Sequence, residues 1–452
     1  MKIVIVGDGK VGFALTQRLS AEGHDVVVID NDITALQNAS DTQDVICIQG
    51  NGAIFAVQQE AGVDKADLLI AATSRDEVNI LCCVVAKKLG ASNTIARVRN
   101  PEYAQQLHIM RDELQLSMII NPELAAASEI TRVLAFPSAL NVDAFAKGRA
   151  ELVEVRIGEN NPLQGQPLSA LHTKFKVNAL VCAVQRDDQV TIPGGDFVLQ
   201  TGDKITLAAP RADMSAFFRT LGIWKNPVKN VMILGGGRVA YYLTRQLQDV
   251  GMQVKIIEMD EARCTEFCVA FPQAMVIHGD GTDQELLDEE GLAEMDAFVA
   301  LTGIDEENIV ISMYARSKGV EKVITKIDRL TFLDIFHSMG IDSVISPKYI
   351  TADQIVRYVR VMQNSLGSNV ETLSRIVNNR IEALEFRVRD NISFLNTPIR
   401  QLKLKPNLLI ACIIRKGRFI VPRGSDWIES GDAVIVVTTN QTPFDDLSDI
   451  VR

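Results

Sequence analysis

Two glycine-rich turns carry the residues whose types and spacing point to chemistry. Gly7-Asp8-Gly9-Lys10-Val11-Gly12 is answered 228 positions later by Gly235-Gly236-Gly237-Arg238-Val239-Ala240. Each turn follows an apolar run, Ile3 to Val6 and Val231 to Leu234. Each is followed by another apolar run closed by an acid, Asp30 and Glu258, again 228 apart. A turn of this kind suits a pyrophosphate. Gly7 and Gly235 permit a sharp strand-to-helix turn, and Gly9 and Gly237 let the backbone approach phosphate. Gly12 lets the following helix, which Val11 enters, pack against the sheet, and Ala240 keeps that position small. The helix N-terminus adds free N–H groups and a partial positive charge. These residues support recognition of a nucleotide.

The residues around the turns narrow the ligand. Asp30 can accept hydrogen bonds from ribose hydroxyls, and a carboxylate there repels a 2′-phosphate, so NAD(H), ATP or ADP fit better than NADP. Glu258 offers the same function on a longer stem. Lys10 and Arg238 stand one residue beyond the second glycine, where a side chain can lean over phosphates. Asn51 and Asp280 sit in glycine-flanked turns placed to edge an adenine. Thr73 and Ser74, with Thr302 in the second copy, end the strand bordering the crevice. Arg97 presents a fork of donors to phosphate oxygens, whereas Lys326 replaces it with a point charge. The seven cysteines match neither a CxxC motif nor zinc spacing with the five histidines, and read as small core hydrophobes. None of the histidines, at positions 24, 108, 172, 278 and 337, lies in a repeated context. Hydride transfer needs a proton-transfer group beside the nicotinamide. A non-enzymatic sensor is therefore the favoured reading, with no catalytic residues, and a nucleotide-dependent oxidoreductase is the alternative.

The elements that must position these residues are themselves repeated. Asp67-Leu68-Leu69-Ile70-Ala71-Ala72-Thr73 matches Asp296-Ala297-Phe298-Val299-Ala300-Leu301-Thr302, and Asn79 matches Asn308. Short β-branched runs alternate with helical segments such as 10–22, 53–61 and 77–89, the periodicity of a parallel sheet with helices on both faces. Beyond each such region the pattern changes. Glu151 to Ile157 and Glu382 to Val388 alternate polar and apolar residues. Asn178, Pro193, Gly195, Gly202 and Asp203 recur at Asn407, Pro422, Gly424, Gly431 and Asp432. The expected fold is α/β: two Rossmann-like, doubly wound parallel-sheet domains at 1–136 and 228–362, each followed by a small α+β domain, at 137–222 and 368–452. Helical connectors are expected from Pro122 to Leu134 and from Pro347 to Met362. A net charge of −11 argues against nucleic acid or anionic lipid as the main partner. No apolar run approaches the roughly 18 residues of a membrane span. The N-terminus reads as a core strand running into Gly7 and not as a signal peptide, so a cytosolic chain is expected.

The duplicated turns, the acids at 30 and 258, and the Gly50-Asn51-Gly52 and Gly279-Asp280-Gly281 turns closely resemble the RCK family (regulator of potassium conductance, also called KTN). The Ala72-Thr73…Asn79 and Leu301-Thr302…Asn308 segments and the N–C–N–C order extend the resemblance over essentially all 452 residues. It implies a cytoplasmic homotetramer, peripheral on the inner face of the cell membrane, whose eight N-domains form a ring beneath a membrane potassium channel or transporter, TrkH. It also implies binding of NAD(H), ATP or ADP, with the bound nucleotide gating potassium uptake. By position, the first site would comprise Gly7, Gly9, Lys10, Val11, Gly12, Asp30, Asn51, Thr73, Ser74 and Arg97. The second would comprise Gly235, Gly237, Arg238, Glu258, Asp280, Thr302 and Lys326. Some relatives hold a divalent cation through an acid just after the sheet. Glu123 matches that position and Lys348 occupies the comparable place in the second copy, so no metal site is assigned and a metal role for Glu123 stays open.

Overall fold

A computed structural model describes residues 1–103, 106, 111–136, 138–146, 149–159, 161–175, 179–220, 227–329, 341, 343–364, 370–377, 380–390, 392–439, 444 and 446–451. The expected domain limits at 137, 222, 368 and 452, the repeated Asn178, and His108 and His337 lie outside them. The chain forms two compact units, Met1–Thr131 with Lys229–Val356, and Arg132–Val228 with Arg357–Arg452.

The first unit holds two parallel sheets of identical winding. In the first repeat the strands are β1 (Lys2–Val6), β2 (Asp25–Asp30), β3 (Ile46–Gln49), β4 (Leu68–Ala71), β5 (Asn93–Arg97) and β6 (Met118–Ile120), ordered β3-β2-β1-β4-β5-β6. The winding reverses between β1 and β4, where Val4 stands beside both Val27 and Leu69. A doubly wound sheet opens its ligand crevice at the carboxyl ends of such a pair. The strands read as unbroken apolar runs because helices cover both faces: Ile3, Val4 and Ile5 are all fully buried. The helix Lys10–Ala21 buries Val11, Ala14, Leu15 and Leu19, one apolar stripe against the sheet. Asp67 fixes the register by accepting from the Lys2 N–H at 2.8 Å. Its repeat, Asp296, accepts from the Lys229 and Asn230 N–H groups at the same distance. Beyond the five strands of the first small domain, the second parallel sheet begins at β12 (Asn230–Leu234), with β13 (Gln253–Glu258), β14 (Met275–His278), β15 (Ala297–Ala300), β16 (Lys322–Lys326) and β17 (Ser343–Ile345), ordered β14-β13-β12-β15-β16-β17. Both sheets match the α/β reading of the sequence.

The second unit holds the two small domains. The first runs through Asn141–Phe145, Ala150–Arg156, Leu180–Arg186, Gln189–Thr191 and Lys204–Ala209 (β7 to β11), ordered β10-β9-β11-β8-β7. The second runs through Val370–Ile376, Ile381–Arg387, Leu408–Arg415, Arg418–Ile420 and Ala433–Thr438 (β18 to β22), in the corresponding order. The recurring Gly-Asp pair has a definite task. Asp203 is buried and takes both arms of the Arg186 guanidinium at 2.8 Å, and Asp432 takes Arg415 at 2.8 and 3.0 Å. Phe145, Leu152 and Cys182 share one core with Ile376, Ile381 and Cys412, so each sheet completes the other's apolar face. The connecting helices are Pro122–Ala135 and Pro347–Asn364, and in the second Ile355, Val356 and Val359 are buried. Cys82, Cys83, Cys182, Cys264 and Cys412 are buried as expected, and burial pushes the thiols of Cys82 and Cys182 up to about 12. Cys268 is exposed, which corrects the expectation for that residue: it falls on the solvent side of the helix Glu261–Ala270, where Cys264 and Phe267 take the buried stripe.

Candidate nucleotide-binding site

At the switch point of the first sheet lies a cavity of about 550 Å³. Gly7, Gly9, Lys10, Val11, Asp30, Asn51, Thr73, Ser74 and Arg97 line it, together with Asn31, Asp32, Arg75 and Val78, which the sequence reading did not single out. Gly7 sits at φ +92°, and a Cβ there would lie 2.8 Å from the Thr73 backbone. Only glycine adopts that turn without strain. Gly12 does not line the cavity but underlies it: a Cβ at this position would lie 1.9 Å from the Gly7 carbonyl oxygen. Gly9 differs in kind. A Cβ there would meet nothing within 4 Å, so its bare backbone leaves an open face at the N-terminus of the helix. That cradle fits a pyrophosphate.

Asp30 is held in place by the same turn. Its Oδ2 accepts from the Asp8 N–H at 2.5 Å and its Oδ1 from the Asp32 N–H at 2.9 Å. Each oxygen keeps a further lone pair for a hydroxyl. Asp8 itself is buried, with Oδ1 near the Thr16 hydroxyl at 3.1 Å and Oδ2 without a partner. Burial raises its carboxyl to about 6, with the neighbouring Asp30 adding to the shift and Thr16 opposing it. Asn51 accepts from the Ala53 N–H at 3.0 Å. The Ser74 carbonyl accepts from the Arg99 guanidinium.

Arg97 is mostly buried. Its Nη1 reaches the Thr73 carbonyl at 3.4 Å, its Nη2 stands 3.9 Å from Glu123 Oε1, and its Nε has no partner. Burial lowers its pKa, with Glu123 opposing the shift and Arg99 and Arg238 reinforcing it. Glu123 thus faces a cation, and among the described residues no group of three or more His, Cys, Asp or Glu could hold a metal ion. Lys10, largely exposed, forms an ion pair with Asp328 of the second repeat at 2.7 Å.

The second turn repeats the plan with one exchange. Gly235 sits at φ +94°, and a Cβ on Gly237 would again meet nothing within 4 Å. Glu258 is buried and accepts from the Gly236 N–H at 2.5 Å and the Asp260 N–H at 2.9 Å. A Cβ at Gly236 would lie 3.0 Å from Glu258 Oε2, so the longer acid fits because glycine stands where the first copy has Asp8. Thr302 borders the turn, and Lys326 Nζ donates to its carbonyl at 2.8 Å. Asp280 accepts from the Thr282 N–H and hydroxyl, which holds its carboxyl below the usual range. Arg238 begins the helix Arg238–Asp249 at the exposed surface.

The TrkA-N domain family matches residues 3–122 and 231–347, and the TrkA-C domain family matches residues 152–222 and 383–443. The chain belongs to the TrkA family. It is 33% identical over 444 residues to the Trk system potassium uptake protein TrkA homolog 1 of Methanosarcina mazei, covering 96% of this chain and 97% of that one. It is 30% identical over 448 residues to the Trk system potassium uptake protein TrkA of Haemophilus influenzae, covering 98% and 96%. Among solved structures, the GsuK RCK domain is similar with a TM-score of 0.64 at 16% identity, covering 97% of this chain and 92% of that chain. The GsuK channel bound to NAD gives a TM-score of 0.63 at 16% identity, covering 97% and 77%. At that identity these neighbours speak for the fold alone.

Proposed function

We propose that this chain is a non-enzymatic, nucleotide-sensing regulatory subunit of a potassium-uptake system. The observation that carries the reading is the cavity of about 550 Å³ whose floor is the bare Gly9 backbone and whose walls bring together Asp30, Thr73 and Arg97. The acids and the lysine among its described lining residues are engaged in the fold, Asp30 and Asp32 accepting from backbone N–H groups and Lys10 pairing with Asp328, which favours binding over proton transfer. Membership of the TrkA family and the names of its relatives support potassium uptake as the process regulated. Among the described residues no helix is long and apolar enough to cross a membrane, in keeping with a cytoplasmic subunit that acts at the inner face of the membrane through a partner. That partner is taken to be TrkH, contacted by a homotetrameric ring of N-domains, with domain limits at 1–136, 137–222, 228–362 and 368–452.

In this reading NAD(H), ATP or ADP occupies the N-domains. The pyrophosphate lies on the N-termini that follow Gly9 and Gly237, with Gly7, Val11, Gly12 and Gly235 shaping the turns. The ribose is held by Asp30 or Glu258, the adenine is edged by Asn51 or Asp280, and the far phosphates face Lys10, Arg238, Thr73, Ser74, Thr302, Arg97 and Lys326. Gating follows from linkage: the nucleotide shifts the partner only as far as it binds two states of the ring unequally. Swinging a ring from about 1:99 to 99:1 takes roughly 5.5 kcal/mol, which several sites can share.

Calorimetric titration of the full chain with ATP, ADP, NADH and NADPH tests the reading. Asp30→Asn, which keeps one acceptor for the turn, and Arg97→Ala serve as the variants. Micromolar ATP or NADH binding, weakened by Asp30→Asn and absent for NADPH, is expected, with Arg97→Ala costing ATP more than NADH. NADPH binding as tight as NADH would overturn the site assignment.

A further inference from the structure

The cavity wall between β4 and β5 is set by a residue that does not line it. Asn79, on the first turn of the helix Asp76–Leu89, is fully buried and lies behind Thr73 and Arg97. Its Oδ1 accepts from the Thr73 N–H at 2.8 Å and from the Thr73 hydroxyl at 2.7 Å. Its Nδ2 donates to the Thr73 carbonyl at 3.2 Å and to the Arg97 carbonyl at 2.9 Å. Two donors and two acceptor sites are the full capacity of a side-chain amide, and all are used. The contacts sit where β4 and β5 part to open the crevice, so the amide replaces the ladder hydrogen bonds the sheet no longer makes. Asp76, on the same helical turn, accepts from the Arg99 and Asn100 N–H groups, each at 2.8 Å, and anchors the chain just beyond Arg97.

The second repeat builds the same device. Asn308 is fully buried, accepts from the Thr302 N–H at 2.9 Å, and donates to the Thr302 and Lys326 carbonyls at 3.2 and 3.0 Å. Thr302 differs in its hydroxyl, which donates to the Ile304 carbonyl and not to the asparagine.

We propose that Asn79 is a positioning residue of the first nucleotide site: it fixes the spacing between Thr73 and Arg97, and through it the grip on the ligand's phosphates. The proposal rests on the nucleotide-sensing reading above. No other side chain of that length supplies both a paired donor and a paired acceptor, so the role is specific to the amide. Asn79→Ala removes all four bonds. Asn79→Asp keeps the two acceptor contacts to Thr73 but turns a carboxylate towards two carbonyl oxygens.

Amide hydrogen exchange of the full chain under titration with ATP reads the two sites separately, through protection of residues 7–13 and of residues 235–241. Asn79→Ala is expected to raise the ATP midpoint at residues 7–13 by on the order of tenfold, the equivalent of one net hydrogen bond, while leaving 235–241 unmoved. Asn308→Ala loses comparable buried bonds and serves as the stability control: it is expected to leave the midpoint at residues 7–13 unmoved. Asn79→Asp is expected to bind as poorly as Asn79→Ala at pH 8 and to recover on acidification, when the protonated carboxyl regains one donor, relative to wild type at each pH. A midpoint for Asn79→Ala within about twofold of wild type, or an equal effect of Asn308→Ala at residues 7–13, overturns the proposal. If neither ATP nor NADH protects residues 7–13 in the wild type, the nucleotide reading falls, and the proposal falls with it.

Discussion

Asp8 is ionised at neutral pH only at a cost, and replacing it should show how much. The carboxyl is buried beneath the glycine turn with one oxygen unpartnered, beside Asp30, and is raised from the usual 3.8 to about 6. In the unfolded chain it returns to the ordinary value. The folded state therefore binds the proton more tightly, so the associated stability is fully present below 3.8 and lost as pH rises through about 6. The whole shift, 2.2 pH units at 1.36 kcal/mol each, corresponds to about 3 kcal/mol at pH 8. About 1 kcal/mol of it has already been lost at pH 4.5. Asp8→Asn removes this charge and keeps an acceptor for Thr16. Hydrogen exchange of β1 and β2 reads the opening free energy of the domain directly. The variant should gain on wild type by about 2 kcal/mol between pH 4.5 and pH 8, on top of any constant difference. A difference that stays flat with pH, or that favours wild type more as pH rises, would refute the account of Asp8 as a strained charge.

The glycines of the turn should separate binding from folding. Gly9→Val meets open space and should leave stability within about 0.5 kcal/mol while abolishing nucleotide binding by calorimetry; an unfolded variant would show that the open face is not what it is taken to be. Gly12→Ala forces a Cβ to within 1.9 Å of the Gly7 carbonyl oxygen and should cost about 1–3 kcal/mol in thermal unfolding. In the second repeat, Gly236→Asp drives a carboxylate against buried Glu258 and should destabilise that domain by more than about 2 kcal/mol, with recovery in the double variant that also carries Glu258→Asp. Additivity of the two changes would count against the exchange.

Much of this was legible in the sequence, for a physical reason. A fully buried parallel strand must be apolar throughout, and a phosphate-binding turn must be glycine at fixed offsets, so Ile3 to Val6 and Gly7 to Gly12 announce themselves. The duplication doubles that signal. Asn79 and Asn308 were visible as a repeat, but nothing in a sequence says that an amide four residues into a helix segment reaches back to two strand ends. Arg75 and Asp32 line the cavity through loop geometry that no periodicity encodes. Asp30 and Glu258 were read as ligand groups, while their part in holding the glycine turns depends on backbone N–H directions. Cys268 was assigned to the core by residue type, yet side-chain position on a helix is decided by phase.

The two repeats also diverge where their domains meet within the first unit, and the divergence bears on phosphate charge. Lys10 of the first repeat is neutralised by Asp328 of the second at 2.7 Å. The residue matching Asp328 in the first repeat is Arg99, and the one matching Lys10 is Arg238. The reciprocal junction gathers Arg97, Arg99 and Arg238 with two acids, Glu123 at 3.9 Å from Arg97 and Asp76 at 3.6 Å from Arg99. Burial lowers the pKa of Arg97; Glu123 and Asp76 oppose the shift, and Arg99 and Arg238 reinforce it. Three guanidinium groups against two carboxylates leave an unneutralised positive charge that an anion relieves, whereas Lys10 already has a carboxylate partner. The first site should therefore discriminate ATP from ADP more strongly than the second, by about tenfold or 1.4 kcal/mol. Arg238→Gln should erase that preference at residues 7–13 in site-resolved exchange, although it lies in the other repeat. If instead Arg238→Gln weakened ATP only at residues 235–241, the guanidinium would be serving its own turn, and the charge imbalance between the repeats would have no part in telling the nucleotides apart.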